Sequence, residues 1–435
     1  MLKQKKILAV LSSAALIAGI LTGCSSKTDG SGDSSSKEVT LKLSIGNTAV
    51  LDGIKAVSAD IEKKYHIKTE IETTPTGGEG DNLVKTRLAT GDMSDLLVYN
   101  SGSLLQAINP EKNFVDLTNE PFMDNVMDLF KKTVTVNGKV FGVPSGNTSA
   151  GGWLYNKKVY AELGLSVPKT WDELMANNEK IKAAGKTAVI GTYKTDWTTQ
   201  LIYLADNYNV LAQEPDFAEK YTANKAKIAD TPAAFRSFEK LAEVYKRGFL
   251  NKDFKATTYE QGLKMLAEGT GAHYPMLSSA LIAIAKNYPD KLNDIGFFPQ
   301  PSDNPEQNGL TVWMPGAVYI YKEGKNVEAA KKWVSYFVSP EGVKTYLENM
   351  NPEGPLVIKD AKMPDNIMPA VKDMLPFFES GKTNLALEFL SPIKGPSLPQ
   401  ITTEVGSGIS SAKKGAEQYD KDVEKQAKQL GLKGW

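Results

Sequence analysis

The sequence predicts a two-lobed α/β fold. Three observations carry that expectation: strand-period and helix-period apolar residues alternate from Val39 onward, the chain is too long for one core, and a second α/β region opens after a hairpin near residues 133–143. Of the 435 residues, about 410 remain once a leader is removed, more than a single hydrophobic core organises comfortably.

Val39, Leu41, Leu43 and Ile45 alternate with polar residues and predict a strand; Ile54, Val57, Ile61 and Tyr65 then recur at helical spacing. Ile67, Thr69 and Ile71 give the next strand. A glycine-rich loop, Thr76-Gly77-Gly78-Glu79-Gly80, leads into a helix carrying Leu83, Val84, Arg87 and Leu88, closed by Gly91 before an apolar strand at 96–99. A β-α-β-α-β unit of this kind winds into a parallel sheet with right-handed crossovers, and ligands bind beyond the carboxyl ends of its strands.

Val134 and Val136, then Asn137-Gly138, then Val140 and Phe141 predict a hairpin with the dipeptide that a type I′ turn prefers. Residues 153–156 read as a strand, and Thr170-Trp171-Asp172-Glu173 as a capping box opening a helix that ends near Gly185. A strand at 188–192 and helices at 198–208, 232–246 and 259–268 follow, the second capped by Thr231 with Pro232 at its first position. Residues 272–276 are apolar, 309–321 read as one strand and 327–338 as a helix, restarted by the N-cap Ser339-Pro340-Glu341. Helical stretches at 365–378 and 400–430 complete the chain.

The amino-terminal end carries its own message. Lys3, Lys5 and Lys6 precede an uncharged apolar run at 7–21, the pattern of a secretory signal and too short for the roughly 20 residues of a spanning helix. Leu21-Thr22-Gly23-Cys24 resembles the bacterial lipobox, which implies cleavage before Cys24 and lipid attachment to it, at the extracellular face of the cell membrane. Cys24 is the only thiol, so no disulfide is expected. Residues 25–37 hold no apolar side chain and predict a flexible tether of about 20 Å.

Composition excludes several classes. With 51 basic and 51 acidic side chains, mixed along the chain, nucleic acid is not an expected partner. No GxSxG elbow, HExxH pair or phosphate-cradle pattern occurs, and His66 and His273 stand far apart, so no triad, metal site or cofactor is expected. A glycoside hydrolase needs only two carboxylates, which counting cannot exclude.

The order of elements over residues 38–435 resembles the family 1 extracellular solute-binding proteins of ABC importers, the maltose-binding-protein group. Arg87-Leu88-Ala89-Thr90-Gly91-Asp92-Met93-Ser94-Asp95-Leu96 is similar to that family's helix-to-strand segment, and Leu154-Tyr155-Asn156-Lys157 to the strand and turn entering its second lobe. Val167-Pro168-Lys169-Thr170-Trp171-Asp172-Glu173-Leu174 and the run from Asn326 through Gly342 resemble later helix starts. The resemblance implies a periplasmic-binding-protein-like fold, with discontinuous lobes and a hinge crossed near 141–144, 303–310 and 338–341. Lobe 1 would then comprise 38–142 plus 311–338, and lobe 2 143–310 plus 339–435. It also implies a monomer that captures a solute, most simply a sugar, and hands it to ABC permease subunits without altering it. Polyamine or metal-chelate ligands are the alternatives within this class.

A sugar needs flat aromatics for its ring face and amides or carboxylates for its hydroxyls. Candidates in the strand-end loops of the first lobe are Asn47, Asn100 and Ser101, with Glu79 and Asp81 on the glycine-rich loop. The asparagines read equally as turn formers, and the acids as an exposed loop or helix start. In the second lobe Asp196-Trp197 stands at a position similar to an aromatic sugar contact of the family, although Trp197 reads also as the first core residue of the following helix. Tyr274 and Met276 resemble the segment bearing its stacking tryptophan, which is missing here. Trp313, before Met314-Pro315-Gly316, fits either a cleft wall or a buried strand, while Trp153, Trp171 and Trp333 fall at core positions.

Overall fold

In the computed structural model residues 38–435 are described; the expected signal, Cys24 and the tether lie outside them. The strands, in chain order, are β1 (Val39–Gly46), β2 (Ile67–Thr74), β3 (Leu96–Tyr99), β4 (Thr135–Val136), β5 (Lys139–Val140), β6 (Gly142–Pro144), β7 (Ser149–Asn156), β8 (Thr187–Val189), β9 (Gly271–Leu277), β10 (Ile295–Pro299), β11 (Leu310–Trp313), β12 (Ala317–Ile320) and β13 (Thr383–Leu385).

One sheet runs β2-β1-β3-β12-β6 and a second β13-β11-β7-β9-β8, with β10 also paired to β7. Helices Asp52–Tyr65 and Gly77–Thr90 cross between β1, β2 and β3, which forces those strands parallel, in register from Val39 opposite Ile67 to Gly46 opposite Thr74. The return strands β12 and β6 run antiparallel, Ala317 facing both Tyr99 and Pro144. The fold is two-lobed, one α/β body around each sheet.

Several local expectations hold for the physical reasons given. Asn137 (φ 49°) and Gly138 (φ 79°) supply the left-handed pair that a I′ turn requires between β4 and β5. The Thr170 side chain accepts from the Glu173 amide and Glu173 answers in kind, while Ser339 accepts from Gly342. Thr231 makes no side-chain cap, although Pro232 does open its helix. Trp153, Trp171 and Trp333 are fully buried. Trp333 stacks on Phe337 at 5.0 Å and donates to Thr69 Oγ1 at 3.0 Å.

Other expectations are corrected. The single strand at 309–321 is two strands in different sheets. β11 pairs with β7 in the second and β12 with β3 in the first, so the chain crosses at Met314-Pro315-Gly316 rather than 303–310. Proline removes a ladder donor there. Gly316 is needed because a Cβ would lie 2.9 Å from the Tyr99 carbonyl oxygen.

The third crossing also moves. Helix Pro340–Glu348 was assigned with the second lobe but packs on Asp52–Tyr65, where Gly53 makes room for Tyr346 and Met350. Chain passage therefore falls between that helix and Pro369–Glu379, which packs on β10. The first crossing, expected at 141–144, falls between β6 and β7 because Gly142–Pro144 still pairs with β12. The glycine-rich loop is the first turn of helix Gly77–Thr90. The helices expected at 198–208 and 400–430 are each broken, the latter at Gly408, whose φ is +73°.

Candidate functional site

The geometry of the two sheets brings one set of strand ends together. β1, β2 and β3 finish at the same edge of the first sheet, where β6 also ends and β12 begins. Residues 145–148 then lead directly into β7, whose first residues face the carboxyl ends of β9 and β11: Gly151 opposite Leu277 and Ser149 opposite Trp313. The loops after the strands of each lobe thus open toward the crossings, the arrangement in which α/β sheets place ligands.

Two contacts join the lobes across this region. Lys286 Nζ lies 3.0 Å from Asp52 Oδ2. On the other side the ring of Phe389 and the carbonyl of Glu388 close over Gly102, whose φ of +72° and missing side chain are both required, since a Cβ would stand 2.6 Å from that oxygen.

On the first lobe, Asn47 is exposed just after β1, its amide N–H donating to the Thr74 carbonyl at 2.8 Å, which fixes the loop and leaves the side chain in solvent. Asn100 is exposed after β3, and its carbonyl accepts the Tyr319 hydroxyl at 2.9 Å. Glu79 and Asp81 occupy the start of helix Gly77–Thr90, where the helix N-terminus favours negative charge. The Tyr99 hydroxyl donates to Asp81 Oδ1 at 2.7 Å. Burial, and then the neighbouring Asp81 carboxylate, push the Tyr99 pKa far above its ordinary value, so the hydroxyl remains a donor. Ser101 is a correction: it is 3% exposed and donates to the Pro315 carbonyl at 2.9 Å, tying the end of β3 to the second crossing.

On the second lobe, Asp196 and Trp197 open a 3₁₀ turn, Asp196–Gln200, after β8. Asp196 is exposed; Trp197 is half-buried, its ring 5.4 Å from that of Tyr259 and tilted by 48°. Tyr259 in turn lies 6.5 Å from Tyr274. One aromatic ladder thus runs from the surface into the lobe, with Trp197 and Tyr259 partly exposed and Tyr274 buried.

Tyr274 and Met276 are corrected to core, each 1% exposed. β9 is an interior strand between β7 and β8, and every residue from Gly271 to Met276 is buried, as in a sheet covered on both faces. The Tyr274 hydroxyl is taken up by Thr192 Oγ1 at 2.9 Å. Tyr274→Phe should therefore lower unfolding free energy by about 1 kcal/mol while leaving solute affinity unchanged, read by denaturation beside a binding titration; a tenfold affinity loss would return Tyr274 to the site.

Trp313 is 8% exposed and combines both readings. Its ring packs against Gly151 while Nε1 donates to Glu388 Oε1 at 2.7 Å, and Glu388 is held by Lys394 at 2.8 Å. Glu388 and Phe389, on the turn after β13, were missed by sequence reasoning. The only signal was a lone acid inside the apolar run Leu385-Ala386-Leu387-Glu388-Phe389-Leu390, which no periodicity distinguishes from core. His273 is buried, bonded to Tyr160 and Asn178, and its pKa is pushed down to about 3 by burial, so it is a neutral core residue.

A cavity of about 860 Å³ lies elsewhere, along helix Pro340–Glu348 and residues 358–367, lined among others by Lys344, Met350 and Lys359. None of the strand-end loops borders it, so the candidate cleft remains where those loops converge.

Comparison with known proteins agrees with this geometry. A multiple sugar-binding protein of Streptococcus mutans serotype c is 28% identical over 311 residues, 68% of this chain and 70% of the relative. The melibiose/raffinose/stachyose-binding protein MelE of Bacillus subtilis is 20% identical over 341 residues, 77% of each chain. Among solved structures, a chitin oligosaccharide binding protein superposes with a TM-score of 0.78 at 21% identity, covering 90% of this chain and 99% of its own. RafE in complex with raffinose gives 0.75 at 22%, with the same coverage. These likenesses establish the two-lobed fold. Residues 47–344 match the sequence pattern of bacterial extracellular solute-binding proteins, and the chain belongs to that family.

Proposed function

We propose that this chain captures a mono- or oligosaccharide between its lobes and delivers it, chemically unchanged, to the permease subunits of an ABC importer. It acts as a monomer held at the extracellular face of a bacterial membrane by lipid on Cys24. The observation that carries the sugar reading is Trp197, a half-buried aromatic face at a strand-end loop, in a cleft that also presents Asn47, Asn100, Glu79 and Asp196 as hydroxyl partners. The names of the relatives, which include multiple sugar-binding and raffinose-binding proteins, support it. Two further acids are already engaged, Asp81 with Tyr99 and Glu388 with Lys394, which leaves the cleft less suited to a polyamine than a count of carboxylates suggests.

In this reading lobe 1 is built on the first sheet with the helices Asp52–Tyr65, Gly77–Thr90, Val327–Phe337 and Pro340–Glu348, and lobe 2 on the second sheet with the remaining late helices. Solute binds one lobe and closure brings the other onto it, the balance shifting by its differential affinity for the two forms. Thermal-shift screening against a carbohydrate panel tests the proposal: a ligand at 100 times its dissociation constant adds about 2.7 kcal/mol. A panel without any shift, or protein-dependent release of sugar from an oligosaccharide, would reverse it.

A further inference from the structure

Tyr99 is the last residue of β3 and Asp81 lies near the start of helix Gly77–Thr90, so two strand-end segments of the first lobe meet at these side chains. Both are half-buried, and the Tyr99 hydroxyl donates to Asp81 Oδ1 at 2.7 Å. Each end of that bond is held from behind. Pairing with Ala317 sets the Tyr99 backbone, and Gly316 lets its own chain approach the Tyr99 carbonyl. Gly80 sets Asp81: a Cβ there would collide with the Pro75 carbonyl oxygen, so the helix begins tucked against the loop that leaves β2.

The bond occupies one carboxylate oxygen only. Asp81 Oδ2 has no hydrogen-bond or ion-pair partner among the described residues, and Lys85, one turn along the helix, is exposed and makes no ion pair with it. Burial and the neighbouring carboxylate keep the Tyr99 phenol protonated, so its proton stays with Asp81 and its oxygen is left with lone pairs alone. Side by side the two groups offer acceptors and no donor. The charge around them has the same sense: Glu79 is exposed on the same helix start and Asp196 on the second lobe, where Lys194 is the one cation of its loop. A sugar hydroxyl can donate to acceptors of this kind, whereas a phosphate or carboxylate brings lone pairs and negative charge against them.

We propose that Tyr99 is a positioning residue for Asp81: it turns the carboxylate so that the pair takes two adjacent hydroxyls of an uncharged sugar and rejects the phosphorylated or acidic form of that sugar. This rests on the carbohydrate reading above and narrows it to neutral ligands. A site built to bond hydroxyls discriminates strongly, because a ligand without them leaves its polar groups unpaired. Without the Tyr99 hydroxyl the carboxylate rotates freely, and binding has to order it again.

The full chain is titrated with galactose, maltotriose, raffinose and chitobiose, and with spermidine as a cationic probe; the strongest neutral binder is then compared with its own 6-phosphate and 6-uronate. The neutral form should bind about a hundredfold tighter than either anion. Tyr99→Phe should weaken the neutral sugar about tenfold, and should cost nothing further in an Asp81→Ala background, where no carboxylate remains to be positioned. A purely structural Tyr99 would cost the same factor in both backgrounds. That equality, an unchanged affinity in Tyr99→Phe, or an anion bound within about tenfold of the neutral form would each overturn the inference and leave sugar capture standing. Should Tyr99→Phe fail to fold, Asp81→Asn decides: loss of the charge should narrow the gap between neutral and anionic forms about tenfold, and an unchanged gap overturns the inference. Binding of spermidine alone, or of nothing in the panel, removes the sugar reading and this inference with it.

Discussion

Asp206→Ala should lower the unfolding free energy of the second lobe by about 3–5 kcal/mol, the cost of leaving a buried charge without its partner. Asp206 Oδ1 lies 2.7 Å from Lys240 Nζ, with both side chains almost wholly buried, at 1% and 2% exposure. Ser237 and Asn209 also donate to Asp206, at 2.8 and 2.7 Å, and Lys240 reaches the Pro301 carbonyl at 2.9 Å. The network is closed around its charges, so removing one member strands the ammonium between helix Pro232–Lys246 and the Trp171 ring, 5.5 Å away. Replacing both charged residues together with apolar ones of similar volume should recover most of the loss, because the pair's attraction does little more than offset its desolvation. Urea titration followed by tryptophan fluorescence measures this. A loss below about 1 kcal/mol for the single variant would mean that water or another acceptor reaches Lys240.

Trp197→Ala should weaken binding of the cognate carbohydrate at least tenfold, about 1.4 kcal/mol. The indole packs against Tyr259 on one side and is partly open on the other, so truncation removes the flat surface without emptying the lobe's core. Thermal stability without ligand should move little, and that separates a contact residue from a packing residue. Isothermal titration of both proteins with the sugar found by screening gives the ratio. Unchanged affinity would remove Trp197 from the site and favour a cationic ligand instead.

Much of the fold was legible because its signals are local. Alternation in Val39, Leu41, Leu43 and Ile45, the Asn137-Gly138 turn and the Thr170/Glu173 capping box each depend on neighbours a few residues apart, and each appears as expected. The family resemblance added the expectation of discontinuous lobes joined by a hinge. Where reading failed, the deciding partner was distant. Residues 309–321 look like one apolar strand, yet β11 and β12 choose different sheets because their partners, Ser149 and Tyr99, lie in different lobes. Helix Pro340–Glu348 carries no mark of which lobe it covers; its place is set by the space that Gly53 leaves for Tyr346 and Met350.

The site divides in the same way. Asn47, Asn100, Asp196 and Trp197 could be picked out as candidates because a strand's end is visible in the sequence and its loop lies at the surface. Tyr274 and Met276 could not be told from site residues, since apolar residues after a glycine read alike whether a strand lies at an edge or inside a sheet. Glu353 carried no signal at all, being one of 51 acidic residues until the fold buries it against Asn147 and Ser149. By itself the sequence determined most of the elements, the two α/β bodies and the exposed loops that could hold a solute, because short-range periodicity and turn chemistry encode them. Only the tertiary structure decided where the chain crosses, which aromatics are buried and which acid is enclosed without a counter-charge, because burial and pairing are properties of residues brought together from far apart in the chain.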